Sequence, residues 1–293
     1  MVAAQWRSQR VYRPNSATKV DGVFSLYLTP TFGDRPIGRI TTNEVRTWLA
    51  TERMQKLSPA TRRTALRYFR SVIHKAIEDG LLVKDPSAPV KVPGSKGKPV
   101  TSVLTQHQVS LLIKAAPDSL RPVVMVAAGT GLRQGEVLGL TTRDVDLDRG
   151  LIHVRQQWVL KQGELGPLKT DSSLRTVPLA PALVDVLRPI VETTETGQVL
   201  FPLGRTAEYL WLKSTRGAGV SARFHDLRHY FASVLIRAGA DVKTVQTLLG
   251  HTDAAMTLNT YSHYFHGSAD DTVRAAIQGL FSGDHETPVK PHP

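Results

Sequence analysis

The sequence predicts a mainly α chain of two units, one helical and N-terminal, the other mostly helical with a small antiparallel β-sheet. Three observations carry this. Apolar residues recur at helical spacing between cap signals over most of the chain. Strict alternation is confined to LIHVRQQW (151–158) and SLRTVPL (173–179). One stretch, KDPSAPVKVPGSKGKPV from Lys84 to Val100, repeats Pro and Gly without any apolar period, as an extended linker does. The expected division is a unit over 1–84, a linker over 85–100, a second unit over 101–282 and a disordered tail over 283–293.

In the first unit the strongest helix starts with Ser58 as N-cap and Pro59 at the first helical position, runs to about Asp79 and stops at Gly80. Leu66, Phe69, Ile73 and Ile77 form its apolar stripe. Arg63, Arg67 and Arg70 lie at i, i+4 and i+7 on a separate face, which is either a solvated face or one that meets a phosphate backbone. Weaker helices are expected over 17–28 and 42–54, the latter capped by Thr41 or Thr42. In the second unit helices are expected over 106–116, 120–129, 181–191, 226–238 and 241–249, with Gly239 and Gly250 as stops. The alternating stretches flank a turn region holding Gly163, Gly166 and Asp171, which suits a small antiparallel sheet.

At 293 residues and 41% hydrophobic the chain can bury two cores. No run of about 18 apolar residues and no charged-then-apolar leader is present, so no membrane association is expected and the location is expected to be cytoplasmic. The absence of cysteine excludes disulfides, thiolate metal sites and cysteine nucleophiles, leaving oxygen and nitrogen groups for any chemistry. The net charge of +12 implies a polyanionic partner. That charge is uneven: residues 1–97 hold 17 Lys and Arg against 7 Asp and Glu, the remainder 20 against 18. A duplex-binding surface needs many cations to displace counterions, whereas a reactive centre needs a few placed ones, so the N-terminal third is expected to bind and the rest to react. Arg62, Arg63, Arg67 and Arg70, with the linker lysines Lys96 and Lys98, are the candidate DNA-binding residues.

Five short stretches of the second unit carry reactive side chains. GTGLRQGEVLGL (129–140) puts Arg133 after a Gly-rich turn at a helix start, with Glu136 one turn on. LKTDSSLRTVPL holds Lys169 at or near a β-turn. FHDLRHYFASVL (224–235) sets His225 and Arg228 three apart on one helix face, where both can bond oxygens of one phosphate. LLGH ends in His251, just past Gly250, and MTLNTYSHY carries Tyr261 ten residues further, with Tyr264 three beyond. Taken singly, each has an ordinary structural explanation: a surface arginine, a solvated lysine, a helix-end histidine, a packing tyrosine.

Taken in order, Arg, Lys, His-x-x-Arg, Leu-Gly-His and Tyr resemble the catalytic domain of the tyrosine recombinases, the phage integrase family. WRSQRVYRPNSATKVDG and TPTFGDRPIGRITTNEVRTWL resemble that family's core-binding domain, so the resemblance spans nearly the whole chain. It implies the DNA breaking-rejoining enzyme fold, with a SAM-like helical core-binding domain and a catalytic domain. It further implies a compact integrase of the actinobacteriophage type, with a further N-terminal arm-binding domain absent or removed. The implied reaction is cleavage and rejoining of double-stranded attachment-site DNA through a 3′-phosphotyrosyl link, without metal or other cofactor. Tyr261 is the nucleophile that the resemblance implies, with Tyr264 as rival. Arg133 and Arg228 hold the non-bridging oxygens, His225 accepts a proton, Lys169 protonates the leaving 5′ oxygen with Lys161 as competitor, His251 bonds the phosphate, and Glu136 supports them. Implied partners are a homotetramer on paired sites and an accessory directionality factor or host DNA-bending protein. The stripe of Val273, Ile277, Leu280 and Phe281 on a helix over 270–281 docks either on a neighbouring protomer or on its own domain. Three other classes share some of these features: a type IB topoisomerase, a non-catalytic DNA-binding regulator, and a metal-dependent nuclease using His225, His229, His251, His263 and His266.

Overall fold

A computed structural model describes residues 2–9, 14–93 and 103–253, and the chain divides into two compact units between Thr101 and Ser102. Lys96, Lys98, Tyr261, Tyr264, the helix expected over 270–281 and the tail from 283 lie outside the described residues. Among the described residues no helix is long and apolar enough to cross a membrane.

The N-terminal unit is built from α1 (Val2–Ser8), α2 (Pro14–Val23), a π-turn (Phe24–Leu28), α3 (Thr29–Phe32), α4 (Thr42–Ala50), α5 (Glu52–Gln55) and α6 (Pro59–Glu78). The helix expected over 17–28 runs on to Phe32, because the ladder shifts at Phe24 rather than ending. Pro30 has no N–H to give the carbonyl four residues back, and the Thr29 N–H reaches the Phe24 carbonyl instead. Thr41 caps α4 in a reciprocal box: its hydroxyl accepts from the Glu44 N–H at 3.2 Å, and its own N–H donates to the Glu44 carboxylate at 2.8 Å. The helix expected over 42–54 breaks at Thr51, whose backbone is extended. In α6, the Ser58 hydroxyl accepts from the Thr61 N–H at 3.1 Å, and the buried Leu66, Phe69 and Ile73 pack with Trp6, Phe24, Val45 and Trp48. Phe32 and Phe69 approach to 4.9 Å between ring centroids, a contact worth roughly 0.5–1.5 kcal/mol beyond burial. Residues 85–90, read as the start of an extended linker, instead belong to this core. Ser87 and Val90 are buried, and Arg70 donates to both their carbonyls, at 2.9 and 2.7 Å.

The C-terminal unit begins with α7 (Gln106–Ala115), α8 (Arg121–Thr130) and α9 (Gln134–Leu138). Five short strands follow: β1 (Val145–Asp146), β2 (Leu151–Val154), β3 (Gln156–Val159), β4 (Glu164–Pro167) and β5 (Arg175–Pro178). They form not one sheet but two. β1, β2 and β5 make an antiparallel sheet in that order, with Ile152 opposite Val177, while β3 and β4 form a separate hairpin. The expected strand over 151–158 therefore splits at Arg155. Ile152 and Val154 turn into the core, whereas β3 lies on α9, where a side chain at Gly139 would sit 2.6 Å from the Trp158 nitrogen. Among the described residues the last elements are α10 (Pro181–Thr193), α11 (Thr206–Ala218), α12 (Asp226–Arg237) and α13 (Val242–Leu249). The sequence did not predict α11, which buries Ala207 and Trp211 and is pinned by the Trp211 indole N–H donating to the Ala222 carbonyl at 3.1 Å.

Candidate active site

Three arginines from separate elements converge on the C-terminal end of α13. The last carbonyls of a helix have no partner within it, and they carry the negative end of its dipole. Here three consecutive ones each accept from a different guanidinium. Arg175 Nε donates to the Leu248 oxygen at 2.7 Å, Arg228 Nη2 to the Leu249 oxygen, and Arg133 Nη2 to the Gly250 oxygen at 3.2 Å. Arg228 also donates from Nη1 to the Gly131 oxygen at 2.9 Å, so the end of α8 joins the same cluster.

Local sequence explains each placement. Gly131 ends α8 in the left-handed conformation (φ 66°), which turns the chain so that Arg133 stands at the N-cap of α9. A Cβ at Gly131 would fall 2.4 Å from the Phe231 ring, so only glycine fits. Glu136, one turn into α9, accepts from the Arg133 N–H at 2.8 Å, Arg133 Nη1 at 2.7 Å and Arg175 Nη2 at 2.8 Å. Arg228 follows the His225 N-cap of α12 by three residues and is 2% exposed. Arg175 occupies the inward face of β5, alternating with buried Val177.

The electrostatics follow from one carboxylate that pairs with two of these three cations. Burial alone would raise the Glu136 carboxyl, but the hydrogen bond and charge of Arg175, and then the charge of Arg133, hold it below the usual range. It is therefore ionised, and the three guanidiniums outnumber it by two. The histidines respond in the opposite sense. Burial, then the charges of His229, Arg228 and Arg133, push His225 down to about 4. Burial, then Arg228, Arg133, His225 and Arg175, push His251 to about 4 as well. His225 keeps an exposed edge, so it is a neutral imidazole open to an incoming group. Such a pocket has uncompensated positive charge for an anion and neutral nitrogens for a proton.

Arg133, Glu136, His225, Arg228 and His251 are thus brought together from three segments of the chain. Lys169 is exposed, in the bend between β4 and β5. Its turn is tied to the cluster through hydroxyls: Thr170 Oγ1 lies 3.0 Å from Ser173 Oγ, which accepts from Arg133 Nη1 at 3.4 Å. Sequence reasoning missed Arg175 and Ser173. The available signal was an arginine in register with Val177 and Leu179 on the buried face of an alternating strand, a position that demands a buried anion. It also left unused the contact between His225 and His229, whose rings meet edge to face at 5.0 Å. Among the described residues no three His, Asp or Glu side chains are grouped as metal ligands would be.

In the N-terminal unit the candidate DNA-binding arginines are placed differently from one another. Arg63 and Arg67 are exposed, and the Arg67 guanidinium lies over the Tyr68 ring, 5.5 Å from its centroid. Arg62 donates to Gln55 at 3.0 Å and lines a cavity of about 150 Å³ with Arg46 and Lys91. Arg70 is turned inward to the 87–90 segment.

Comparison with known proteins agrees with this arrangement. The chain is 29% identical over 252 residues to a tyrosine recombinase XerC-like protein of Caldanaerobacter subterraneus, covering 71% of this chain and 63% of the relative. It is 27% identical over 297 residues to a putative prophage phiRv2 integrase of Mycobacterium tuberculosis, covering 95% of this chain and 77% of that one. Its fold is shared by a Tn1549 transposon integrase solved in complex with a circular intermediate DNA, with a TM-score of 0.79 at 21% identity over 95% of this chain and 98% of that one. Residues 1–92 match the phage integrase central domain, and residues 102–267 match the phage integrase family model, which places more than half of the sequence in one match. The chain belongs to the phage integrase family.

Proposed function

We propose that this protein is a site-specific DNA recombinase that cuts and rejoins attachment-site strands through a covalent 3′-phosphotyrosyl intermediate on Tyr261, integrating or excising phage DNA. The observation that carries the reading is the cationic cluster at the end of α13, in which three guanidiniums gather with a single carboxylate that pairs with two of them, beside two neutral imidazoles. A phosphodiester undergoing in-line attack gathers negative charge on its non-bridging oxygens, and fixed guanidiniums stabilise that charge without needing to reorganise. Arg133 and Arg228 fill this role. The phenol of Tyr261, with an ordinary pKa of about 10, needs an acceptor for its proton, and neutral His225 supplies one.

As the Tyr261 oxygen bonds to phosphorus, the bond from phosphorus to the 5′ oxygen breaks and Lys169 gives that oxygen a proton. The products are a 3′-phosphotyrosyl strand and a free 5′ hydroxyl, and the reverse attack by another strand's hydroxyl rejoins the DNA. His251 bonds the phosphate, and Glu136 fixes Arg133. Exchange between two duplexes cuts four strands once each, so four protomers act together, helped by an accessory protein that sets direction. The exposed Arg63 and Arg67, with Arg62, meet backbone phosphate, as do Lys96 and Lys98.

The test is incubation of the full chain with a nicked attachment-site substrate in chelator, followed by a denaturing gel and peptide mapping. A covalent adduct on Tyr261, lost in Tyr261→Phe while DNA binding persists, is the expected result. An adduct that survives in Tyr261→Phe transfers the role to Tyr264, and a wild-type chain that binds DNA without forming any adduct overturns the reading.

A further inference from the structure

Arg175 has no place in the reaction as set out above, yet it is as deeply committed to the cluster as any residue in it. Its side chain is only 3% exposed, against 28% for Arg133, so it sits behind Glu136 rather than at the open side. Its hydrogen bonds go to Glu136 Oε2 at 2.8 Å, the Leu248 oxygen at 2.7 Å and the Ser173 oxygen at 3.0 Å. Glu136 therefore divides its negative charge between two guanidiniums, one buried and one partly open. Without the buried partner, the whole carboxylate charge would fall on Arg133 and cancel the cation that the open side presents. The same guanidinium bonds Ser173, four residues past Lys169, and Leu248, three residues before His251, so it joins the two segments that carry those side chains.

From this geometry we infer that Arg175 is a positioning residue for strand cleavage: it takes up the Glu136 carboxylate from behind and leaves Arg133 its charge for the phosphate. The inference rests on the recombinase reading for its chemistry. A buried cation that merely stabilised the fold would be replaceable by any change restoring stability, whereas a charge-balancing one is specifically relieved by removing the opposing charge.

The experiment compares wild type, Arg175→Met, Arg175→Lys, Glu136→Gln and the double variant Glu136→Gln/Arg175→Met, at a temperature where circular dichroism shows each folded. Affinity for attachment-site DNA and the single-turnover rate of adduct formation are measured separately. Arg175→Met is expected to bind within about threefold of wild type but to cleave roughly 10- to 100-fold more slowly, the usual size of effect for a group that orients a reactive side chain. The double variant is expected to cleave faster than Arg175→Met, and Arg175→Lys to fall between Arg175→Met and wild type. The NMR titration midpoint of His251, which burial and then nearby charges including Arg175 depress to about 4, is expected to rise in Arg175→Met. Cleavage by Arg175→Met at the wild-type rate overturns the inference, as does a double variant no faster than the single one. If Arg175→Met does not fold, Arg175→Lys carries the test, and binding and cleavage reduced in equal proportion overturn the inference. Absence of any adduct from wild type instead rejects the recombinase reading, so the two failures are distinct.

Discussion

Replacing Gly131 by alanine should damage fold and site together, by an amount that the structure separates into two parts. The first is conformational: at φ 66° an alanine pays about 1–2 kcal/mol for the left-handed backbone. The second is steric. The new Cβ would lie 2.4 Å from Phe231 Cδ1 and 3.0 Å from Leu249 Cδ2, both side chains being buried, and overpacking of this kind costs about 1–3 kcal/mol. The expected loss is about 2–5 kcal/mol. Gly219, which ends α11 at φ 64° with nothing within 4 Å of its would-be Cβ, isolates the first part, so Gly219→Ala should lose only about 1–2 kcal/mol. Urea unfolding followed by tryptophan fluorescence measures both. Because the oxygens of Gly131 and Leu249 are the acceptors of Arg228, relief of the clash moves both anchors, and Gly131→Ala should also lose adduct formation while Gly219→Ala keeps it. Equal destabilisation by the two substitutions would refute the packing argument.

Further expectations concern charge. His225 and His251 have folded-state pKa values of about 4 against about 6.5 in an unfolded chain, so below pH 6.5 the unfolded state binds protons that the folded state refuses. Stability should therefore fall as the pH drops from about 6.5 to about 4, and the urea midpoint of His251→Gln should depend less on pH across that window. Arg63→Ala should weaken binding to all duplexes alike and reduce the slope of log affinity against log salt by roughly 0.9, as loss of one phosphate contact does; an unchanged slope removes Arg63 from the interface. Lys169→Ala should block cleavage while Lys161→Ala retains it, and the reverse pattern on a nicked substrate would move the proton donor to Lys161.

Elements with their own end signals were legible in the sequence. Ser58-Pro59 and Gly80 bound α6, and Gly239 and Gly250 bound the last two described helices, because capping depends on residues three or four apart. What the sequence hid depends on distant partners. The break between β2 and β3 is set by α9, whose Gly139 admits the Trp158 backbone. The inward turn of Arg70 is set by carbonyls 17 and 20 residues further on, so its helix face gives no sign of it. Within the site, the order and residue types of Arg133, Glu136, His225, Arg228 and His251 single them out along the chain. Arg175 escaped notice because its anion, Glu136, is 39 residues away and its carbonyl acceptor on Leu248 is 73. Periodicity identifies buried positions but not the charge waiting there.

The gathering of three arginines at the end of α13 also bears on how late in synthesis the cationic centre can form. Arg133 finds its acceptor on Gly250, 117 residues downstream, and Arg228 spans 97 residues to Gly131, so the anion-attracting centre joins points that synthesis separates widely. A nascent polypeptide released between residues 228 and 250 retains the basic N-terminal helices and every one of the three guanidiniums, but not the complete helix end that collects them. Premature termination or proteolysis in that interval would leave a fragment with its basic helices intact and its anion-attracting centre unassembled.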